Sequence, residues 1–529
     1  MRKLILPLLI LSCLQISCNP DPRTAGPTDT KQEIRVGISS EPQVFDPRLI
    51  RDTPSVNVSH MLFEGLMQKN YVGKVVPAIA RYVDISADGK KYTFHLKNTL
   101  WSDGSLVTAY DFEYSWKSIL DPNFPAPNAY QLYILKGARN AKSGKASLDD
   151  VGVKALNDSV LVVELEHPVP YFLELTTTHF YSPVNRKWAE ETKDSLYSDP
   201  KTIITNGPFK LTQSLGNDIV VEKNPLYWDA DQVHLEKISL YVVNENTALQ
   251  MFQRGEIDWV GSPMSTIPPD AIPTLKNQGK LTITPADGVH FFRINTSKEI
   301  LDQTKIRKAL AYSINRKELV DHVTQANQEP AMGIVPRSYG LQTIPHFKDY
   351  DITAAWSNFQ DALNDLKMSK DDLPEITLLY TQSERNHKIV QAIQEQWRKT
   401  LGFNVKLEAC ERAVFYERLH EKNYDISIGS WYGDIRDPIN FLEVFKYKAS
   451  RTNNTEWENS KYIALLDKSS LEANSYERKI LLRKAENIII DDMAVIPLYY
   501  PTFNHLQEGV SGVYFSELGY VDFKYAYKD

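Results

Sequence analysis

An aspartate follows two aromatic residues at the end of a predicted strand. The segment YDISIGS alternates apolar and polar residues, which predicts a half-buried strand, and Trp431, Tyr432, Gly433 and Asp434 come directly after it. The carboxylate of Asp434 is suited to hold a cationic group of a ligand. It is also suited to open a turn, because Asp and Gly are common turn residues. The local pattern taken alone favours the turn.

Motifs for covalent or metal-dependent catalysis do not occur in the sequence. It lacks the G-x-S-x-G, H-E-x-x-H, C-x-x-C and P-loop patterns, and its 11 histidines show no spacing typical of metal ligands. His387, in SERNHK, is the one histidine that we single out as a candidate ligand contact, although an exposed helix-start residue is the simpler interpretation. We expect no catalytic centre, metal or cofactor. A hydrolase stays an alternative, because catalytic triads assemble in space rather than along the chain.

Length and charge limit the class of protein. A chain of 529 residues is too long for one compact core, so we expect two or three domains. The formal net charge of −7 gives no electrostatic reason to bind nucleic acid.

The first 18 residues have the layout of an export signal. Two basic residues precede an apolar run, Leu4 to Ile16, that is too short to span a membrane. A Ser-Cys pair then resembles the cleavage box of a bacterial lipoprotein, whose cysteine becomes the lipidated first residue of the mature chain. Cys18 leaves the more usual apolar region, whereas Cys13 fits the box better by residue type. We predict lipidation at Cys18, and a cleaved signal without lipid is the alternative.

The segment after the signal has the composition of a tether. Residues 19–32 are rich in Pro, Thr, Asp and Gly and have no apolar face. Beyond it, Cys410 is the only remaining cysteine, so we expect no internal disulfide.

Strands and helices alternate along the rest of the chain. The pattern predicts an α/β protein with mixed sheets. Its clearest segments are a strand, turn and helix capped by Thr108 (90–120), a hairpin (151–172), a strand–helix–strand unit (237–260), a β-α-β unit (375–410) and a late extended segment (494–507).

The stretch ADGKKYTFHLKNTLWSDGSLVTAYDFEYSW, residues 87–116, strongly resembles the oligopeptide-binding proteins of ABC peptide importers, in family 5 of the bacterial extracellular solute-binding proteins. The resemblance covers nearly the whole mature chain. Further motifs follow in the family's order: FDPRL (45–49), LFEGL (62–66), VGVKALND (151–158), PVPYF (168–172), TNGPFKL (205–211), KNPLYWD (223–229), RGEID (254–258) and VIPLYYP (495–501).

The resemblance implies a periplasmic-binding-protein-like clamp of type II, cluster C, in which two lobes close on the ligand and a third lobe packs on the first. Lobe I is expected to comprise residues 33–63, 184–288 and 500–529. The additional lobe II is expected at 64–183, and lobe III at 289–499.

The resemblance also gives Asp434 a role. In the family, the acidic residue just after this strand takes the ligand's α-ammonium beside a tryptophan, and Asp434 and Trp431 match those positions. We expect Tyr432 and Gly433 to lie in the same pocket. A buried ammonium needs a paired carboxylate, because an isolated buried charge is strongly destabilising. In this context the ligand-binding interpretation of Asp434 replaces the turn.

Other pocket positions depart from the family's pattern. Ile428 stands where peptide binders usually carry an arginine, and Asn128 replaces a tyrosine. Arg51 and Arg293 replace acidic residues, and Arg412 replaces an aromatic residue. Because the planar guanidinium is suited to carboxylates, these exchanges predict a preference for ligands with additional carboxylates.

The leading interpretation is therefore a monomeric lipoprotein of the periplasm or cell envelope. It is expected to bind oligopeptides and deliver them to an ABC permease with its ATPase subunits. A relative specialised for one ligand, such as a murein peptide, a dipeptide, haem or a metal chelate, is the alternative among binding proteins. An exported hydrolase is the alternative from another class.

Overall fold

The structure is a computed structural model. It describes residues 31–50, 52–191, 202–216, 218–341, 344–450, 452–472 and 474–529. The predicted signal, both candidate lipidation sites (Cys13 and Cys18) and Arg51 lie outside the described residues.

Most strands of the described chain are short and belong to three sheets. The strands are β1 Glu33–Ile38, β2 Met67–Lys69, β3 Val75–Pro77, β4 Ala80–Ile85, β5 Lys91–Leu96, β6 Val153–Asn157, β7 Val160–Glu164, β8 Phe209–Leu215, β9 Asp218–Lys223, β10 Lys237–Val242, β11 Trp259–Gly261, β12 Thr282–Pro285, β13 Gly288–Ile294, β14 Glu329–Pro330, β15 Ile376–Thr381, β16 Val405–Cys410, β17 Ile426–Tyr432, β18 Val495–Tyr500, β19 Thr502–Gln507, β20 Val510–Ser511, β21 Tyr514–Phe515, β22 Val521–Asp522 and β23 Tyr527–Lys528.

The helices pack on these sheets. They are α1 Thr53–Leu62, α2 Ala109–Leu120, α3 Ala138–Lys142, α4 Phe172–Leu175, α5 Arg186–Glu191, α6 Glu245–Gln253, α7 Ile272–Asn277, α8 Thr304–Tyr312, α9 Arg316–Glu318, α10 Ile352–Leu366, α11 Glu384–Leu401, α12 Arg412–His420, α13 Ile439–Leu442, α14 Ser460–Leu471 and α15 Ser475–Asp492. None of the helices in the described ranges is long and apolar enough to cross a bilayer.

A seven-stranded mixed sheet has the order β12-β19-β11-β1-β10-β9-β8. Its first strand, β1, runs parallel to β10 and β11, and the remaining pairs are antiparallel. A four-stranded antiparallel sheet, β4-β5-β7-β6, packs beneath α2. That helix begins with the predicted cap at Thr108, whose capping box with Asp111 is present, and it buries Phe112, Trp116 and Ile119.

A six-stranded mixed sheet, β14-β18-β13-β17-β15-β16, carries the segment with Asp434. Strands β15 and β16 are parallel and joined through α11, as the β-α-β pattern predicts. The helix buries Ile389, Ile393 and Trp397 at helical spacing against this sheet. Strand β17 pairs with β13 from Ile426 to Tyr432, so Asp434 lies just beyond the end of the sheet.

The late extended segment differs in one respect from its prediction. The sequence predicts one extended stretch over 494–507, but the structure divides it at Pro501 into two strands. Strand β18 is buried along its whole length in the six-stranded sheet, whereas β19 belongs to the seven-stranded sheet. Proline has no N–H to donate to a ladder, which suits it to the connection between two sheets.

Candidate ligand-binding site

Asp434 is a half-buried carboxylate that contacts residues from distant parts of the chain. Its Oδ2 accepts a hydrogen bond of 2.9 Å from Gln131 Nε2, 303 residues earlier in the sequence. Asn440, at the start of α13, accepts from the Asp434 backbone N–H at 3.1 Å through its own Oδ1. None of the described Lys, Arg or His side chains forms an ion pair with Asp434. Among the described residues, the carboxylate is thus held by neutral groups and has no cationic partner.

The electrostatic state of Asp434 follows from this environment. Burial raises the pKa of its carboxyl group from 3.8 to about 6, and the hydrogen bonds from Asn440 and Gln131 oppose that increase only in part. At neutral pH the group is ionised and has no counter-charge in the part of the chain that the structure describes, which is the state that attracts a ligand cation.

Asn440 also positions the neighbouring tryptophan. The indole Nε1 of Trp431 donates to Asn440 Oδ1 at 3.1 Å, so one amide oxygen fixes both Trp431 and the Asp434 backbone. Tyr432 is 37% exposed and stacks on Phe503 with ring centroids 5.7 Å apart. Gly433 is buried, and a Cβ at this position would come within 2.8 Å of the Tyr339 hydroxyl. We infer that Gly433 allows a close approach of the backbone.

Gln131 reaches Asp434 from a short 3-10 helix, Ala129–Leu132. Tyr181 donates its hydroxyl hydrogen to the Gln131 carbonyl at 3.0 Å, and Asn128 Nδ2 donates to the Ile50 carbonyl at 2.8 Å. The hydrogen bond from Asn128 to Ile50 therefore holds the turn that carries Gln131. In the described structure, Asn128 thus positions Gln131.

Neither Arg293 nor Arg412 contacts Asp434 in the described structure. Arg293, on β13, donates to the Ile428 carbonyl at 3.1 Å, and its guanidinium carbon lies 5.0 Å from the centre of the Phe291 ring. Burial lowers the pKa of Arg293 below its ordinary value. A side chain at Gly429 would collide with this guanidinium, so the glycine makes room for it.

Arg412 lies beside an aromatic ring of its own helix. The guanidinium of Arg412, exposed on the first turn of α12, lies 5.9 Å from the centre of the Tyr416 ring. Arg293 also interacts electrostatically with Tyr416. The third predicted arginine, Arg51, is outside the described residues.

His387 lies in the first turn of α11 and is exposed, in agreement with the simpler interpretation of its position. Its Nδ1 is 2.7 Å from the Tyr380 hydroxyl. Within the described ranges, no group of three or more His, Cys, Asp or Glu side chains is arranged to hold a metal ion.

Two residues of this site are absent from the sequence-based prediction. Asn440 follows Asp434 by six residues, and an Asn after D-P at a helix start offers a weak indication of a capping or bridging role. The sequence around Gln131 gives no indication of its role, because Gln131 comes close to Asp434 only in the folded chain.

Comparison with known proteins identifies the class. The model of the bacterial extracellular solute-binding proteins, family 5, matches residues 74–453. The oligopeptide-binding protein OppA of Bacillus subtilis is 43% identical over 505 residues, which cover 94% of this chain and 93% of that protein. The chain belongs to this family of solute-binding proteins.

Solved structures agree with that assignment. Haemophilus influenzae OppA, solved in complex with RPPGFSPFR, matches with a TM-score of 0.84 and 27% identity, covering 94% of this chain and 99% of that one. The Escherichia coli murein tripeptide-binding protein MppA also matches with a TM-score of 0.84, at 28% identity and with coverage of 94% and 98%. The predicted α/β periplasmic-binding-protein fold with mixed sheets is confirmed.

Proposed function

We propose that this protein is an extracytoplasmic receptor that binds oligopeptides between two closing lobes and delivers them to an ABC importer. The observation that carries the proposal is Asp434, a half-buried carboxylate with no cationic partner in the described chain. The α-ammonium of a peptide supplies the missing charge. The similarity to OppA of Bacillus subtilis supports peptides as the ligand class.

The proposed cleft lies between the lobes that the resemblance implies, with lobe I at 33–63, 184–288 and 500–529, lobe II at 64–183 and lobe III at 289–499. Two contacts support closure across these units. Gln131 of lobe II binds Asp434 of lobe III, and Lys388 of lobe III pairs with Asp270 of lobe I at 2.7 Å. Ligand contacts with both sides favour the closed form by hinge motion.

The protein is proposed to act as a monomeric lipoprotein attached through Cys18. Its partners are then the permease and ATPase subunits of an importer, which receive the loaded, closed form. The signal-like N-terminus in the sequence supports export and anchoring.

Native mass spectrometry of the purified protein tests this function. A series of bound peptides of different masses supports a broad oligopeptide receptor. One sharp ligand mass instead supports a receptor for a single ligand, a candidate favoured by the equally close structural match to the murein tripeptide-binding protein. Protein that carries no peptide and hydrolyses added peptides contradicts both.

A further inference from the structure

Ile435, the residue after Asp434, is buried in a hydrophobic cluster that belongs to other parts of the chain. Its side chain is 2% exposed. All other described members of this cluster come from residues 34–264 and 510–526, which the proposed division assigns to lobes I and II. A second cluster contains buried apolar residues from 289–500, and in the described structure Ile435 is not one of them. A residue of proposed lobe III thus contributes its side chain to the core of the other two lobes.

Arg436, the next residue, contacts both of these lobes through hydrogen bonds and charge. Its backbone N–H donates to Glu174 Oε1 at 3.1 Å, and its guanidinium pairs with Glu517 Oε2 at 2.7 Å. Glu174 is itself held by an ion pair of 2.8 Å with Lys69, and both of these side chains are largely buried. Glu174 lies in proposed lobe II and Glu517 in proposed lobe I, so Arg436 connects lobe III to both.

The chain crosses between proposed lobes I and III directly beside this turn. Asp287, the residue before β13, accepts the Gly433 N–H through its backbone carbonyl at 2.9 Å and donates its own N–H to the Glu517 carbonyl at 2.7 Å. The carboxylate of Asp287 is buried, and its Oδ2 lies 3.9 Å from Arg436 Nε. Backbone hydrogen bonds therefore fix the start of the turn at the crossing point, and the side chains of Ile435 and Arg436 extend from there to the other lobes.

The burial of Ile435 is the stronger of the two side-chain contacts. Transfer of an isoleucine side chain from water to an apolar core is strongly favourable, whereas an ion pair in contact with solvent contributes little. Arg436 and Glu517 are both partly exposed, so solvent screens their attraction. A rotation that separates lobe III from lobes I and II withdraws Ile435 from its cluster and exposes it to water. Its burial therefore favours the closed arrangement.

We propose that Ile435 is a positioning residue that couples occupation of Asp434 to closure of the lobes. When the lobes close, Ile435 enters the core of lobes I and II and fixes the adjacent Asp434 beside the amino terminus of the ligand. Arg436 adds a weaker contact of the same kind. The inference rests on the proposed peptide-binding function, and it identifies the residues that hold the loaded form closed.

Isothermal calorimetry with tri-alanine tests this role in the wild type and in Ile435→Ala. Ile435→Ala removes most of the apolar surface that closure buries, so the affinity should decrease roughly ten- to fiftyfold. The control is Ile344→Ala, at an isoleucine that is 68% exposed, and it should bind tri-alanine as the wild type does. Ile435→Leu retains the apolar surface and should keep the affinity within about threefold of the wild type.

Small-angle X-ray scattering separates a loss of closure from a general loss of stability. In the wild type and in Ile344→Ala, saturating tri-alanine should decrease the radius of gyration as the lobes close. In Ile435→Ala the decrease should be smaller at the same saturation, because a larger fraction of the loaded protein stays open. A purely structural role of Ile435 would lower the unfolding temperature and leave this decrease unchanged, which contradicts the proposal.

The outcomes distinguish this inference from the proposed function. If the wild type does not bind tri-alanine or other peptides, the peptide-binding function fails. If the wild type binds tri-alanine and Ile435→Ala binds it equally tightly, only the role of Ile435 is wrong. If Ile435→Ala does not fold, Ile435→Val and Arg436→Gln decide, with expected decreases in affinity of about fourfold and about two- to fivefold. Unchanged affinity in both of these variants contradicts the proposal.

Discussion

At the scale of single residues, the candidate site depends on a carboxylate whose neighbours in the described structure are neutral. Asp434 contacts the uncharged side chains of Gln131 and Asn440. Sequence patterns could indicate Asp434 and Trp431 as candidates, because a family resemblance carries residue types at fixed positions, and their role in ligand binding stays a prediction. They could not predict Gln131, whose role exists only after folding.

Peptide affinity is expected to depend on pH through Asp434. With a pKa of about 6, the carboxyl group is neutral in acid. The stability that this protonated form contributes is lost as pH rises from 3.8 through about 6. The affinity for an ammonium group changes with pH in the opposite direction. Binding requires the ionised carboxylate, and the ionised fraction increases with pH. Affinity for a peptide with a free amino terminus should therefore fall as pH decreases below about 6.

Calorimetry of tri-alanine between pH 4.5 and 7.5 measures this dependence. Asp434→Asn should remove the decrease in affinity at low pH, because the titrating group is gone. An acid-side decrease of equal size in the wild type and in Asp434→Asn contradicts the assignment.

At the scale of elements, the segment after β17 is held by helix α15. Arg478, on this helix, forms two hydrogen bonds with Asp437, at 2.7 and 2.9 Å, and both residues are buried. Asp437 also accepts the Ile439 N–H at the start of α13. This pair fixes the turn between Asp434 and Asn440 against the body of the lobe.

Breaking this buried pair should therefore disturb both stability and binding. Asp437→Asn leaves the buried guanidinium without its carboxylate, so the free energy of unfolding should decrease by about 3 kcal/mol. Urea unfolding measures the change, and Asp365→Asn, at an exposed pair with Lys305, is the control. Equal unfolding midpoints for the two variants contradict a structural role for Asp437.

The elements that were predicted correctly are those in which the spacing of apolar residues, or a residue typical of a helix start, indicates one structure. Thr108 before α2 and the alternation of β5 have strictly local causes, and both elements form as predicted. The segment 494–507 has uniform extended character, and its division between two sheets depends on tertiary packing around Pro501. Local patterns contain no information on which sheet a strand joins.

At the scale of the whole molecule, the account requires export and anchoring. The N-terminal cysteine motif predicts that the mature protein carries lipid and stays with the membrane fraction. Cys18→Ala should release the protein into the soluble extracytoplasmic fraction, since the acyl chains provide the attachment. Fractionation with mass spectrometry of the N-terminus measures this. If Cys18→Ala stays lipidated and Cys13→Ala does not, the predicted position is wrong.

The central claim is that Asp434 holds the amino terminus of a peptide, and a two-by-two calorimetric comparison tests it most directly. Tri-alanine and N-acetyl-tri-alanine are titrated into the wild type and into Asp434→Asn, with the exposed-site variant Asp365→Asn as control. The account predicts that acetylation weakens binding to the wild type and to the control by about 2–5 kcal/mol, the range for breaking a buried charge pair. Asp434→Asn should lose a similar amount for the free peptide and little more on acetylation. Equal binding of the free and acetylated peptides by the wild type contradicts the account.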